Sequence, residues 1–192
     1  PIYLKDWAAP IAVGVRHPME HWCMASEKVR YVGEPVAVVM AENRYLAEDA
    51  LEAIKVEYRK LTAVVDPEAA AEASAPVLHA AVGSNVVNDR HFRYGDPEAA
   101  FAAAARTVKI KIRYPRNSGT PIECYVVVAE YLAGDQGYDV LSNFQGPFAL
   151  HPVMARALKV SGAKLRLRAA RDSGGSFGVK QGVSTYIVLL CL

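Results

Sequence analysis

Cysteine is scarce and unpatterned in this chain of 192 residues: Cys23, Cys124 and Cys191 stand far apart, odd in number, with no C-x-x-C pair. That argues against a disulfide framework or a zinc knuckle and for a reducing compartment. Blocks of one charge are missing as well. Lys plus Arg number 22 against 20 Asp plus Glu, a net charge of +2, and no basic run is long enough to suggest nucleic acid or an anionic membrane as partner. No signal or transit peptide and no membrane-length apolar span is visible, which gives a cytoplasmic protein as the expectation. What is present is ordinary globular composition, 52% hydrophobic and 22% charged, long enough for a core.

The ends are unusual. The chain starts at Pro1 without Met and stops in the apolar "TYIVLLCL" of residues 185–192. Eight such residues are too few to cross a bilayer and too apolar to fray in water, so a buried helix, cut, in a longer chain is expected.

Between the ends the pattern is α+β with no internal repeat. Residues 29–41, "VRYVGEPVAVVMA", read as a strand, a turn at Gly33-Glu34-Pro35 and a second strand. Ala47, Ala50, Leu51 and Ile54 make a helical stripe with Asn43 as N-cap, and "IKVEYRKL" returns to alternation, giving a β-β-α-β unit. The Ala/Ser/Pro-rich residues 66–85 read as a linker or long surface connection. Asp96 and Pro97 open a helix, and Val108, Ile110, Ile112 and Tyr114 alternate as a strand. Two strands follow over 122–132 and 137–144 around a turn at Gly134–Gly137, then a helix over 147–160 with Pro152 early in it. A strand over 163–170 leads into "RDSGGSFGVKQG", residues 171–182, and the final apolar helix.

That glycine-rich loop is the leading place for chemistry. It is not a phosphate loop, because Val179 separates Gly178 from Lys180 and Gln181 stands where a hydroxyl is needed. It also lacks the G-x-G-x-x-G spacing of a dinucleotide turn. Strand, glycine turn and helix still aim free backbone N–H groups at an anion or oxo group, while a plain tight turn with glycines at positive φ is the alternative. Gln145, in "SNFQGPF", lies where a strand hands over to a helix. Glu123 begins an apolar strand, and a strand-end salt bridge would explain it. His17, His21 and Cys23 have zinc-ligand types without a standard spacing or a fourth ligand, and read as surface residues. Glu34 and Asp49 read as turn and helix-face residues. No Ser-His-Asp or paired-carboxylate arrangement appears.

Five stretches in order resemble one family. "VRYVGEPVAVVMAENRYLAEDALEAIKVEY" resembles the hammerhead domain of the large subunit of molybdenum hydroxylases, which include xanthine dehydrogenase, aldehyde oxidase and aerobic carbon monoxide dehydrogenase. "GDPEAAFAAAARTV", "PIECYVVVAEY", "SNFQGPFALHPVMARAL" and "DSGGSFGVKQ" are similar to the start of that family's molybdenum-cofactor domain. The resemblance implies a hammerhead-type α/β domain over residues 1–82, a connection and helix over 83–104, and the first part of a mixed α/β molybdopterin-binding domain over 105–192. It implies that Gln145, Gly175, Ser176, Phe177 and Gly178 bind the cofactor, with Gln145 hydrogen-bonding an oxo ligand. Glu123 corresponds to the glutamate of the family's P-M-E-P-R strand, with Ile122 in place of Met, and would face substrate with Gln181.

Two departures stand out: Ser176 replaces a common glycine, and Gln181 replaces the glutamate of xanthine-oxidising members. That turns the expectation from purines toward the carbon monoxide dehydrogenase-like branch. The implied activity is hydroxylation of an aldehyde, N-heterocycle or similar electron-poor carbon with water as the oxygen source. The implied cofactors are molybdenum-molybdopterin, as the cytosine dinucleotide, and [2Fe–2S] clusters and FAD on partner chains in a dimer of heterotrimers. The family's base glutamate would lie beyond Leu192, so no residue of this chain is expected to be catalytic and none to bind metal directly. A non-catalytic or split-subunit scaffold and an unrelated nucleotide-binding α/β protein are the competing readings.

Overall fold

The computed structural model describes Met19 and residues 21–192. Its regular elements begin with α1 (Arg44–Glu52), the short α2 (Pro67–Ala70) and α3 (Pro97–Ala103), and continue with β1 (Val127–Leu132), β2 (Gly137–Ser142), α4 (Pro147–Ala157), β3 (Leu165–Ala169) and α5 (Val183–Cys191). The architecture is α+β.

The first three helices start where side-chain chemistry lets them. Asn43 accepts from the Leu46 amide at 3.0 Å, Asp66 from the amides of Glu68 and Ala69, and Asp96 from that of Ala99, so each cap satisfies a donor the first turn cannot. Pro67 and Pro97 occupy first-turn positions where a missing N–H costs nothing. α4 begins after Gly146, whose φ of 73° is left-handed, and continues through Pro152. Pro152 lies past the first turn, so the Phe148 carbonyl loses its i→i−4 partner there.

The three strands form one sheet in the order β1-β2-β3. β1 and β2 are an antiparallel hairpin with Val127 opposite Ser142 and Leu132 opposite Gly137. β3 pairs parallel to β2, Tyr138 opposite Leu165, which requires the crossover that α4 supplies. Because side chains alternate, Val127 and Ala129, Tyr138 and Val140, and Leu165 and Leu167 share one face. Both α4 and α5 cover that face, bringing Leu150, Met154, Ala157, Val183, Ile187 and Val188 onto it as the core. On the opposite face Asp139 binds Arg168 at 2.6 Å and lies 3.6 Å from Arg166.

Several expectations need correcting. Residues 29–41, 54–61 and 107–114 form no strands, although the turn near Gly33 is present, with the Glu34 amide bonded to the Tyr31 carbonyl. Alternation provides a face to bury, but a ladder also needs a neighbouring edge to take its N–H and C=O groups. Among the described residues nothing supplies that edge, and Val108, Ile110, Ile112 and Tyr114 are all exposed. The helix of the expected β-β-α-β unit forms, yet its stripe is not buried either. Of the two readings of residues 66–85 the long surface connection holds and the linker does not: the Asn85 side chain bonds Ala70, Pro76 and Leu78, closing the connection on itself. Cys23 is buried at 1% exposure against the core and not on the surface. His17 lies outside the described residues. No described helix is long and apolar enough to cross a membrane.

Two outcomes follow. Ile187→Ala, which empties a fully buried position between α5 and the sheet, should cost about 2–5 kcal/mol in urea unfolding. Burial pushes the thiols of Cys23 and Cys191 up to about 11 and about 12, so at pH 8 they hold almost no thiolate, whereas Cys124 is exposed. Iodoacetamide at pH 8 should therefore label Cys124 first, and Cys23 and Cys191 only on unfolding or as the pH climbs toward those values.

Candidate functional site

The site grows from the end of β2. Ser142 and Asn143 are buried polar residues that point at the chain preceding β1. The Ser142 hydroxyl donates to the Val126 carbonyl at 2.7 Å. The Asn143 amide accepts from the Val126 N–H at 3.0 Å and donates to the Cys124 carbonyl at 2.8 Å. Two side chains thus continue the sheet's pairing past its last rung and hold residues 121–126 in line. Glu123 is carried on that segment.

Two residues beyond Asn143 comes Gln145, and β3 delivers the glycine-rich loop beside it. The Gln145 Oε1 accepts from the Gly178 N–H at 3.1 Å and from the Ser176 hydroxyl. Ser176 Oγ in turn accepts from the Lys180 N–H at 3.1 Å, and the Gln145 N–H donates to the Lys180 carbonyl at 3.4 Å. The Gly178 N–H can only donate, so it dictates that the oxygen of the Gln145 amide faces the loop. The Nε2 end then faces away, an exposed donor with no partner among the described residues.

The loop backbone is unusual where it meets Gln145. Gly175 and Gly178 have φ of 88° and 94°, and between them Phe177 sits at φ 50°. A phenylalanine in the left-handed region costs about 1–2 kcal/mol, and here its ring gains no burial in return, being 87% exposed. Gly174 is required for a different reason: a Cβ there would lie 2.6 Å from the Cβ of Glu123.

Lys180 ties these parts together. It is fully buried, and its ammonium pairs with the Glu123 carboxylate, whose side chain is 33% exposed. One residue earlier, the Val179 carbonyl accepts from the Tyr125 hydroxyl at 2.7 Å. Burial, with Tyr186 adding to it, pushes the Tyr125 phenol above its ordinary range, so it stays a neutral donor. Glu123, Cys124, Tyr125 and Val179 line a groove of about 270 Å³ together with Ser118 and Pro121.

The structure therefore joins Gln145, Ser176 and Gly178 directly, with Phe177 displayed between the two glycines. Glu123 forms the salt bridge that its position suggests and also faces the groove. Gln181 is exposed one residue past Lys180, its backbone bonded to Gly178 and Ser184, and it does not line the groove. Glu34 is a turn residue, accepting from the Arg30 N–H at 2.6 Å. His21 and Cys23 join no group of three or more metal-ligand side chains, and none exists among the described residues.

Lys180, Asn143 and Tyr125 escape a reading of the sequence. The one available signal was a lysine between a glycine loop and an apolar helix, matched by a glutamate at the start of an apolar strand.

With this geometry in view, comparison with known proteins gives the class. Residues 78–192 match the molybdopterin cofactor-binding domain, and residues 4–62 match the a/b hammerhead domain of aldehyde oxidase and xanthine dehydrogenase. The chain belongs to the molybdenum hydroxylase large-subunit family, whose members are oxidoreductases.

It is 36% identical to the 6-hydroxypseudooxynicotine dehydrogenase complex subunit gamma of Paenarthrobacter nicotinovorans, over 85% of this chain and 20% of that one. It is 34% identical to the carbon monoxide dehydrogenase large chain of Hydrogenophaga pseudoflava, over 83% and 21% respectively. The crystal structure of quinoline 2-oxidoreductase from Pseudomonas putida 86 superposes with a TM-score of 0.81 at 28% identity, covering 97% of this chain and 24% of that one. The chain thus spans about a fifth of the length of the curated relatives it matches. Family membership removes the reading as an unrelated nucleotide-binding protein.

Glu123→Gln, which leaves the buried Lys180 ammonium without its carboxylate, should destabilise the fold by about 3 kcal/mol. The double variant Glu123→Gln/Lys180→Met should recover part of that loss, as read by denaturant midpoints.

Proposed function

We propose that this chain forms one wall of the molybdopterin-cofactor site in the large subunit of an oxidoreductase that hydroxylates an aldehyde, N-heterocycle or similar electron-poor carbon. The observation that carries the reading is the Gln145 amide. Its oxygen is fixed by two donors of the glycine-rich loop, and its Nε2 is a donor without a partner among the described residues, beside exposed loop backbone. That donor set fits a cofactor bearing oxo-type acceptors.

The molybdenum-pterin group, when bound, supplies the two-electron redox chemistry that joins carbon to oxygen from water. The residues of this chain bind and orient it. Gln145 donates from Nε2 toward an acceptor on the cofactor, a fixed dipole already paid for in folding. Gly175, Ser176, Phe177 and Gly178 bring backbone close, with no side chain in the way at the glycines. Phe177 presents an apolar ring that keeps water from that edge. Glu123 and Gln181 lie on the substrate side, Glu123 through the groove it lines. No residue of the chain acts as the base.

The hammerhead domain runs over residues 1–82, the connection over 83–104 and the cofactor domain from 105. The cofactor is the cytosine dinucleotide form, electrons leave to iron–sulfur and FAD subunits, and the whole is a cytoplasmic dimer of heterotrimers. The names of the relatives, which include a dehydrogenase complex subunit and a carbon monoxide dehydrogenase large chain, support a multi-subunit assembly.

Elemental analysis of the native complex should find molybdenum and iron; absence of molybdenum is the result a scaffold module would give and overturns this reading. Gln145→Ala should lower turnover per molybdenum by about a hundredfold, the usual effect of removing one fixed donor.

A further inference from the structure

Gln145 can present its donor end only if something keeps its amide from turning over. A glutamine amide has two ends of similar shape and opposite hydrogen-bonding character. The Gly178 N–H opposes a flip, because a turned amide would set donor against donor. That single bond comes from a loop of glycines with an exposed backbone.

Ser176 adds a second bond, which holds the amide in place while the Gly178 N–H sets which end faces the loop. Its hydroxyl oxygen is already held by the Lys180 N–H at 3.1 Å, and it passes its own hydrogen to Gln145 Oε1. Lys180 is anchored on three sides: it is fully buried, its ammonium is paired with Glu123, and its carbonyl accepts from the Gln145 N–H. The bonds close a ring from Gln145 N–H to the Lys180 carbonyl, and from the Lys180 N–H through Ser176 Oγ back to Gln145 Oε1. Every other member of that ring uses backbone or a glutamine, so the serine hydroxyl is the one link a single substitution removes cleanly.

We infer that Ser176 is a positioning residue for Gln145, its hydroxyl relaying the fixed geometry of Lys180 to hold the amide oxygen inward and Nε2 outward as the ligand donor. The inference rests on the reading of Gln145 as ligand-facing. Ser176 touches no reacting atom itself. It acts through the orientation of Gln145, so its loss shows in turnover and not in substrate affinity. Threonine keeps the hydroxyl, and alanine removes it with little change in backbone freedom.

The test uses the full holoenzyme, with molybdenum measured in each preparation so that rates are per metal, and hydrogen exchange of the same subunit read at residue resolution. Ser176→Ala should lower kcat about tenfold, the scale of one lost hydrogen bond in an ordered site, with KM little changed. Ser176→Thr should restore most of the rate. Ser176→Ala/Gln145→Ala should be no slower than Gln145→Ala alone, because both changes remove the same interaction. The Gly178 amide should exchange faster in Ser176→Ala as well as in Gln145→Ala, although Gly178 does not bond Ser176.

A purely structural serine would loosen the loop and lower molybdenum content without this non-additivity. If Gln145→Ala is slow while Ser176→Ala keeps wild-type kcat and Gly178 protection, positioning by Ser176 is overturned and the cofactor reading stands. If Gln145→Ala itself turns over at the wild-type rate, both are overturned.

Discussion

A lysine ammonium with no exposed surface has to find a carboxylate, and much of this structure follows from how that need is met. Lys180 meets it with Glu123, 57 positions earlier in the chain. The pairing clamps the residues before β1 onto the turn before α5, where the Tyr125 hydroxyl also bonds the Val179 carbonyl. It works only because Gly174 leaves room for the Glu123 side chain and because Asn143 and Ser142 hold residues 124–126 in register with β2. A buried ion pair of this kind contributes little net stability against well-packed apolar residues. What it provides is a fixed origin from which the backbone N–H and C=O of Lys180 are aimed.

The aim matters because the glycine-rich loop has no stiffness of its own. Three of its residues sit at positive φ, one of them a phenylalanine, and most are exposed. Such a segment is held by its ends and by a few hydrogen bonds. Gln145 supplies the acceptor for two of those bonds and, by accepting them, is itself oriented. Loop and glutamine therefore order each other, and the product is a line of backbone with one side-chain donor beside it. Under the proposed function, that is the surface a rigid polar cofactor would meet.

Helix starts were more legible than strands. The caps Asn43, Asp66 and Asp96 act within three residues, so a short stretch of sequence contains both donor and acceptor. The hairpin around Gly134–Gly137 and the helix after Gly146 are local in the same sense. Strands at 29–41, 54–61 and 107–114 were not, because a strand is a relation between two segments and alternation describes only one of them. Cys23 was misplaced for a related reason: nothing in "HWC" tells that it will lie against a core drawn from residues 140–191. At the site, Gln145 and the loop could be singled out because glycines beside a strand end are a local signature, while Lys180 looked like any other cation.

By itself, then, the sequence determined the α+β composition, the capped helices, the hairpin, the apolar last helix, and the family to which these stretches in this order belong. Each depends on residues within a turn or two of one another, or on short motifs that follow in a set order along the chain. Only the tertiary structure decided that Glu123 and Lys180 neutralise each other, that Ser176 speaks to Gln145, and which end of the Gln145 amide is left free. Those are choices between groups 31 to 57 positions apart, and they are made by desolvation and by the one-way character of N–H donors, neither of which acts until the chain has closed.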